Sequence, residues 1–113
     1  MTIRYKNQGI NLSTTDTTSV FTAPADATIL IKQIQVNNGS TGAVNLSVQV
    51  TDTSATTTFR IFNQSLTASS TTDIINHTLI LEASDILKMT AGTANEIQGI
   101  ISYAQLDRSQ ENG

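Results

Sequence analysis

Hydrophobic and polar residues alternate with a period of two along nearly the whole chain. The clearest case is Ala43–Thr51, where Val44, Leu46, Val48 and Val50 alternate with Asn45, Ser47, Gln49 and Thr51. Successive side chains of a strand point to opposite faces, so this pattern predicts a strand with one buried and one wet face. The preceding run, Thr28–Asn37, begins apolar at consecutive positions (Ile29, Leu30, Ile31) and ends alternating, with Ile34 and Val36 set against Gln33 and Gln35. Its first half is expected to be covered on both faces, by the chain itself or by a second subunit. Asn38-Gly39-Ser40-Thr41-Gly42 joins the two strands with turn-forming residues.

Further strands are predicted at Gly9–Ser13, Ser19–Thr22, Thr57–Asn63, His77–Leu81, Asp85–Ala91 and Ile97–Leu106. Pro24 sits where it closes an edge strand without spoiling a ladder. Ala55-Thr56 and Ser69-Ser70-Thr71-Thr72 read as loops, and Leu81–Ile86 as a tight connection. Asp73–Asn76 reads either as a short strand or as an irregular crossing. About eight short antiparallel strands at even spacing, with no helical period, predict one all-β domain over residues 9–106, a β-sandwich or jelly roll.

The two ends read differently. Residues 1–8 carry Arg4 and Lys6 and no acid, while residues 107–113 form a polar tail with nothing to bury. Each end is expected either to fray or to act as an arm that orders on a neighbouring subunit. Tyr5, between two cations, makes the N-terminal segment the better arm.

Composition narrows the function. Of the 113 residues, 38% are hydrophobic, 4% aromatic and 13% charged, and threonine is the commonest residue. The charged share is about half the ~25% of an average globular domain. The polar surface is thus built from hydroxyls and amides, and Thr suits a pleated, half-exposed strand. A net charge of −3 argues against nucleic-acid binding, which needs a basic footprint. Cysteine is absent, which removes disulfides and thiolate metal sites. Apolar runs stop far short of the ~20 residues that cross a bilayer, so no membrane partner is expected. The opening residues lack the apolar segment of a secretory signal, so synthesis in a cytoplasm is expected. Exit by lysis, inside a particle, remains open to it.

Candidate chemistry is sparse. His77 is the sole histidine, at a strand entrance, and reads as an exposed or hydrogen-bonded loop residue. Ser84, Asp85 and His77 can be assembled on paper into a triad, but no nucleophile elbow is present and Ser84-Asp85 is better explained as turn chemistry. Asp52, Asp73, Glu82, Asp85 and Glu96 fall near strand ends, where acids are commonplace. No run matches a calcium loop or a phosphate-cradling loop. The expectation is a protein with no catalytic residues, no metal and no cofactor.

The stretch Val20–Asn38, with its Thr-rich start, the Ala23-Pro24-Ala25 turn and the ending Ile34-Gln35-Val36-Asn37, resembles a pattern in small virion proteins of tailed phages, including phages of cyanobacteria. Leu79–Ala91 followed by Ile97–Leu106 resembles their "L-x-A-G-D-x-L" hairpin and closing strand, with Ser84 standing where that pattern has Gly. The resemblance covers roughly residues 8–106. It implies a β-sandwich virion structural protein, foremost a capsid decoration (cement) protein on the outside of the shell. Such a protein would bridge neighbouring coat subunits as a homo-oligomer, a trimer by preference, with the major capsid protein or another virion protein as partner. A tail, baseplate or fibre accessory protein is the alternative on the same fold. A carbohydrate- or receptor-binding module is a further one, disfavoured by the absence of Trp. On the decoration reading, Ile29, Ile31, Phe62, Ile80 and Ile100 are expected at subunit contacts. Ile3, Arg4, Tyr5 and Lys6 are expected to engage the coat, so that deletion of residues 1–7 leaves a folded protein unable to bind capsids.

Overall fold

A computed structural model describes residues 2–107. The alternation becomes nine strands: β1 (Thr2–Leu12), β2 (Thr18–Thr22), β3 (Ala27–Asn38), β4 (Val44–Asp52), β5 (Thr57–Leu66), β6 (Ser70–Asp73), β7 (Leu79–Leu81), β8 (Ile86–Ala91) and β9 (Ile97–Asp107). They form two antiparallel sheets. One has the order β1-β9-β3-β6, with β7 also paired to β3, and the other the order β2-β8-β4-β5. Residues 70–73 of β6 pair with Gln35–Asn38 and residues 79–81 of β7 with Ile29–Ile31, along the same edge of β3. They are therefore two halves of one strand, interrupted at residues 74–78, where the Ile74 N–H still donates to the Ile34 carbonyl at 2.8 Å. Counted this way, eight strands lie in two four-stranded sheets, and the fold is a jelly roll.

The core lies between the sheets. Ile29, Ile31, Ile34 and Val36 of β3 and Ile97 and Ile101 of β9 are buried with Leu46 and Val48 of β4 and Leu87 and Met89 of β8. Phe21 of β2 meets Tyr103 of β9 edge-on, with ring centroids 4.7 Å apart, near the side where β1 and β2 form the sandwich edge. Asn38 locks the opposite end. Its side-chain amide donates to the carbonyls of Gly42 (3.1 Å), Leu66 (3.1 Å) and Thr67 (3.3 Å), and its Oδ1 accepts from the Ser40 N–H (2.9 Å). Buried without these partners, the amide would be costly; with them it fixes the β3–β4 loop against the end of β5.

Several expectations are corrected. Residues 2–8 are no free arm: they begin β1, paired in unbroken register with β9 from Thr2↔Asp107 to Leu12↔Ile97. The segment escapes a hydrophobicity reading because β1 is an edge strand with few side chains over the core. The polar tail gives up Asp107, which ends β9, and Arg108–Gly113 lies outside the described residues. Ile29 and Ile31 are wholly enclosed in the core and offer nothing to a partner. The outward residue between them is Leu30, opposite Ala104 of β9 and Ile80 of β7. A side chain one position along a strand points the other way, and an all-apolar run gives no phase to read. Phe62 turns inward too. A bulge opposite Val48 and Gln49 gives β5 an extra residue, Ile61, so that both Phe59 and Phe62 fall in the phase facing the core. Phe62 packs there half-buried. Residues 70–73, expected as loop and crossing, are strand, held by the β3 edge rather than by any apolar face of their own.

Ser84 takes up a left-handed conformation, φ 68°, in the turn that leads into β8. A side chain with a Cβ is strained there, and glycine is not. Ser84→Gly is therefore expected to stabilise the fold by about 1 kcal/mol and raise the thermal midpoint by roughly 4 °C. Thermal unfolding followed by circular dichroism checks this.

Candidate functional site

Acidic side chains come together at one end of the sandwich. Carboxylate oxygens of Asp52, Glu82 and Asp85 lie within 4.8 Å of one another. Their neighbours account for two of them. One oxygen of Asp85 accepts from the Thr53 N–H and hydroxyl, both at 3.1 Å, and the other from the Glu82 N–H at 2.9 Å. Asp52 accepts from the Ser54 hydroxyl at 2.7 Å and from the N–H groups of Ser54 and Ala55. The Ser54 hydroxyl, and then the Ala55 N–H, hold the Asp52 carboxyl below its ordinary value. These bonds brace the β4–β5 hairpin and the turn before β8. The same bonds engage both oxygens of Asp85, while His77 lies exposed in the interruption between β6 and β7.

Asp107 ends β9 at this same end of the sandwich, opposite Ala27 of β3. The Gln105 amide donates to it at 2.8 Å and the Arg4 guanidinium of β1 at 2.7 Å. The Gln105 bond first, and Arg4 after it, hold the Asp107 carboxyl below the usual carboxylate value. A carboxyl depressed in the folded state contributes stability above its unfolded pKa of about 3.9, and that contribution is lost as pH falls through the folded value. Asp107→Asn is thus expected to lose less stability than the parent chain between pH 5 and 2, as denaturant titrations at fixed pH would show.

The register fixes which residues share the outer face of the β1-β9-β3 sheet. Tyr5, Ala104, Leu30 and Ile80 form one row across β1, β9, β3 and β7. Ile3, Leu106 and Thr28 form the next row. Further along the same face Ile100 rises from a hollow of about 320 Å³ lined by Gln35, Asn37, Thr71 and Gln98. Tyr5 is 82% exposed, Ile80 58%, Ile3 54% and Ile100 46%. Among the described residues, Phe59 and Ile61 of β5 complete the exposed large apolar side chains. The structure thus gathers Ile3, Tyr5 and Ile80 with Leu30 and Leu106 on one face, and sets Ile100 further along it. Arg4 and Lys6 fall in the opposite phase of β1, beside Gln105 and Tyr103. There Lys6 lines a groove of about 360 Å³ between β1 and β2 with Gln8, Thr22 and Gln105. The apolar run around Leu30 was the signal for its outward position, but it carried no phase. Phe59 and Ile61 needed the bulge, which leaves no mark in the sequence.

No protein-family model matches the chain, and no curated protein sequence does. Its fold resembles that of viral particle chains. A chain of the T13 IBDV viral particle matches it with a TM-score of 0.57 and 14% identity, over 95% of this chain and 31% of its own length. A chain from the structure of infectious bursal disease virus Gx strain gives 0.56 and 11%, over 93% of this chain and 32% of its own. A mutant VP2 protein of infectious bursal disease virus, from derived T=1 particles, gives 0.54 and 13%, over 95% and 32%. The present chain spans about a third of the length of these viral chains. What is shared at this identity is the jelly roll.

Proposed function

We propose that the chain is a non-enzymatic structural protein of a virus particle, a capsid decoration protein of a tailed phage that bridges coat subunits. The observation that carries this reading is the outer face of the five-stranded sheet. There Tyr5, Leu30, Ile80, Ile3, Leu106 and Ile100 lie on a surface made mostly of hydroxyls and amides, with the Asp73 carboxylate among them. Exposed apolar groups that share a face mark a surface meant to be covered. Few ions stand in the way, so covering it requires little desolvation of charge. The jelly roll shared with viral particle chains supports the same reading. So does the net charge of −3, which fits protein contacts rather than nucleic acid. Assembly takes place in the host cytoplasm and the virion is the final location.

Ile100 stands mid-face, away from both sandwich edges, and is the residue to test. Purified chain mixed with shells that lack it is expected to co-sediment and to saturate at a fixed ratio to coat subunits. Ile100→Asp is expected to lower the affinity at least tenfold, the loss of about 1.4 kcal/mol or more that an interface anchor carries. Failure of the parent chain to bind such shells contradicts the decoration role.

A further inference from the structure

Edge strands of soluble proteins are usually blunted by charge or proline, because their free backbone groups invite another strand. Here the two lateral sides of the sandwich carry exposed apolar side chains beside their charges. β1 and β2 share one side, since both line the same groove. β5 and β6 share the other, joined by only three residues, Thr67 to Ser69. Ile3 and Tyr5 are exposed on the edge strand β1 of the first side, and Phe59, Ile61 and Ile80 on the edge strands β5 and β7 of the second. Of the six exposed large apolar side chains among the described residues, only Ile100 lies on neither side.

Charge distinguishes the sides. On the first, Arg4 and Lys6 are the charged residues of β1, and β2 has none. On the second, Asp73 ends β6, Glu82 follows β7 and Asp52 reaches within 4.8 Å of Glu82. Arg60 is the cation of β5. Arg4 is bound to Asp107 of its own copy at 2.7 Å, which leaves Lys6 as the unshared cation of this side. Two copies meeting first side to first side would set Lys6 against its own kind, which costs free energy. First side against second side sets Lys6 toward a side where acids outnumber the cation of β5.

Strand direction fits the same contact. β1 and β3 both run antiparallel to β9, and β7 runs antiparallel to β3. A next copy's β1 laid beside β7 in the same orientation is therefore antiparallel to it, and the sheet continues without reversal. In that continuation the row Tyr5–Ala104–Leu30–Ile80 runs on into the next copy's Tyr5, and the next copy's Arg4 comes to the Leu81–Glu82 corner.

We propose that this chain self-associates head to tail, the β1 side of one copy against the β5–β7 side of the next. A heterologous contact of this kind generates rings when its rotation closes. The inference rests on the two sides alone and holds whether or not the chain is found in a particle.

The test uses two single variants and their mixture. Tyr5→Asp blocks the first side and Ile80→Asp the second, and both residues are exposed enough to leave the core intact. In sedimentation velocity and native mass spectrometry the parent chain is expected to associate beyond the dimer, because each copy keeps one free side of each kind. Each variant alone is expected as a monomer, and the equimolar mixture as a dimer with one intact junction. Folding of each variant is verified by circular dichroism, with Ile3→Asp and Ile61→Asp as a second pair for the same test. A parent chain monomeric at roughly 100 μM, where even weak contacts of high-micromolar Kd are half populated, would overturn the proposal. So would dimers of Ile80→Asp alone, which would mean a β1-to-β1 contact, or a mixture that stays monomeric.

Discussion

Deletion of residues 1–7 is expected to abolish cooperative folding. The segment supplies the first half of β1, whose partners run from Asp107 back to Ser102 on β9. Its removal strips the outer edge of β9, a strand that holds β3 on its other side. It also removes Arg4, the guanidinium that grips Asp107, and Lys6, which stands beside the nearly buried ring of Tyr103. Unpaired backbone on a long strand and uncovered aromatic surface both favour aggregation. The loss is expected to exceed about 5 kcal/mol, enough to exhaust the stability of a domain this size. Thermal melts and size-exclusion chromatography of the truncated chain check it. A sharp, reversible transition would mean that β1 is an appendage after all.

Ile31→Ala is expected to cost about 2–5 kcal/mol, and Leu30→Ala less than about 1.5 kcal/mol, although the two residues are neighbours of nearly equal hydrophobicity. Ile31 is enclosed between the sheets, and its truncation leaves a cavity that a close-packed jelly roll fills only in part. Leu30 lies on the outer face, half-covered, where water replaces what is removed. Urea denaturation of both variants measures the contrast, with equal slopes as the sign that only stability changed. Equal costs for the two would contradict this phase of β3.

Where alternation is clean, the sequence is nearly a map. Val44, Leu46 and Val48 declare the inward phase of β4, and the strand is found within a residue of its expected bounds. The same holds for β8, where Leu87, Met89 and Ala91 alternate with Lys88 and Thr90. What escaped reading did so for physical reasons. β6 is Ser-Thr-Thr-Asp, a strand with no apolar side, and only its pairing with β3 makes it one. β1 hides its first half in polar residues because its neighbours, not its own hydrophobicity, hold it. The bulge at Ile61 reverses the phase of Phe62, and a single extra residue has no signature in composition. The candidate surface was legible in the same uneven way. Ile3, Tyr5, Ile80 and Ile100 stand out as apolar residues on weakly patterned strands, whereas Leu30 is hidden among Ile29 and Ile31 until the register is known.

The central claim is that this jelly roll is a stoichiometric part of a viral shell. Its copy number in gradient-purified particles, measured by quantitative mass spectrometry against the major coat protein, tests that claim most directly. The account predicts a ratio near that of the coat protein itself. A ratio lower by one or two orders of magnitude would contradict shell decoration and point to a tail or fibre, and absence from the particle would contradict a virion role altogether.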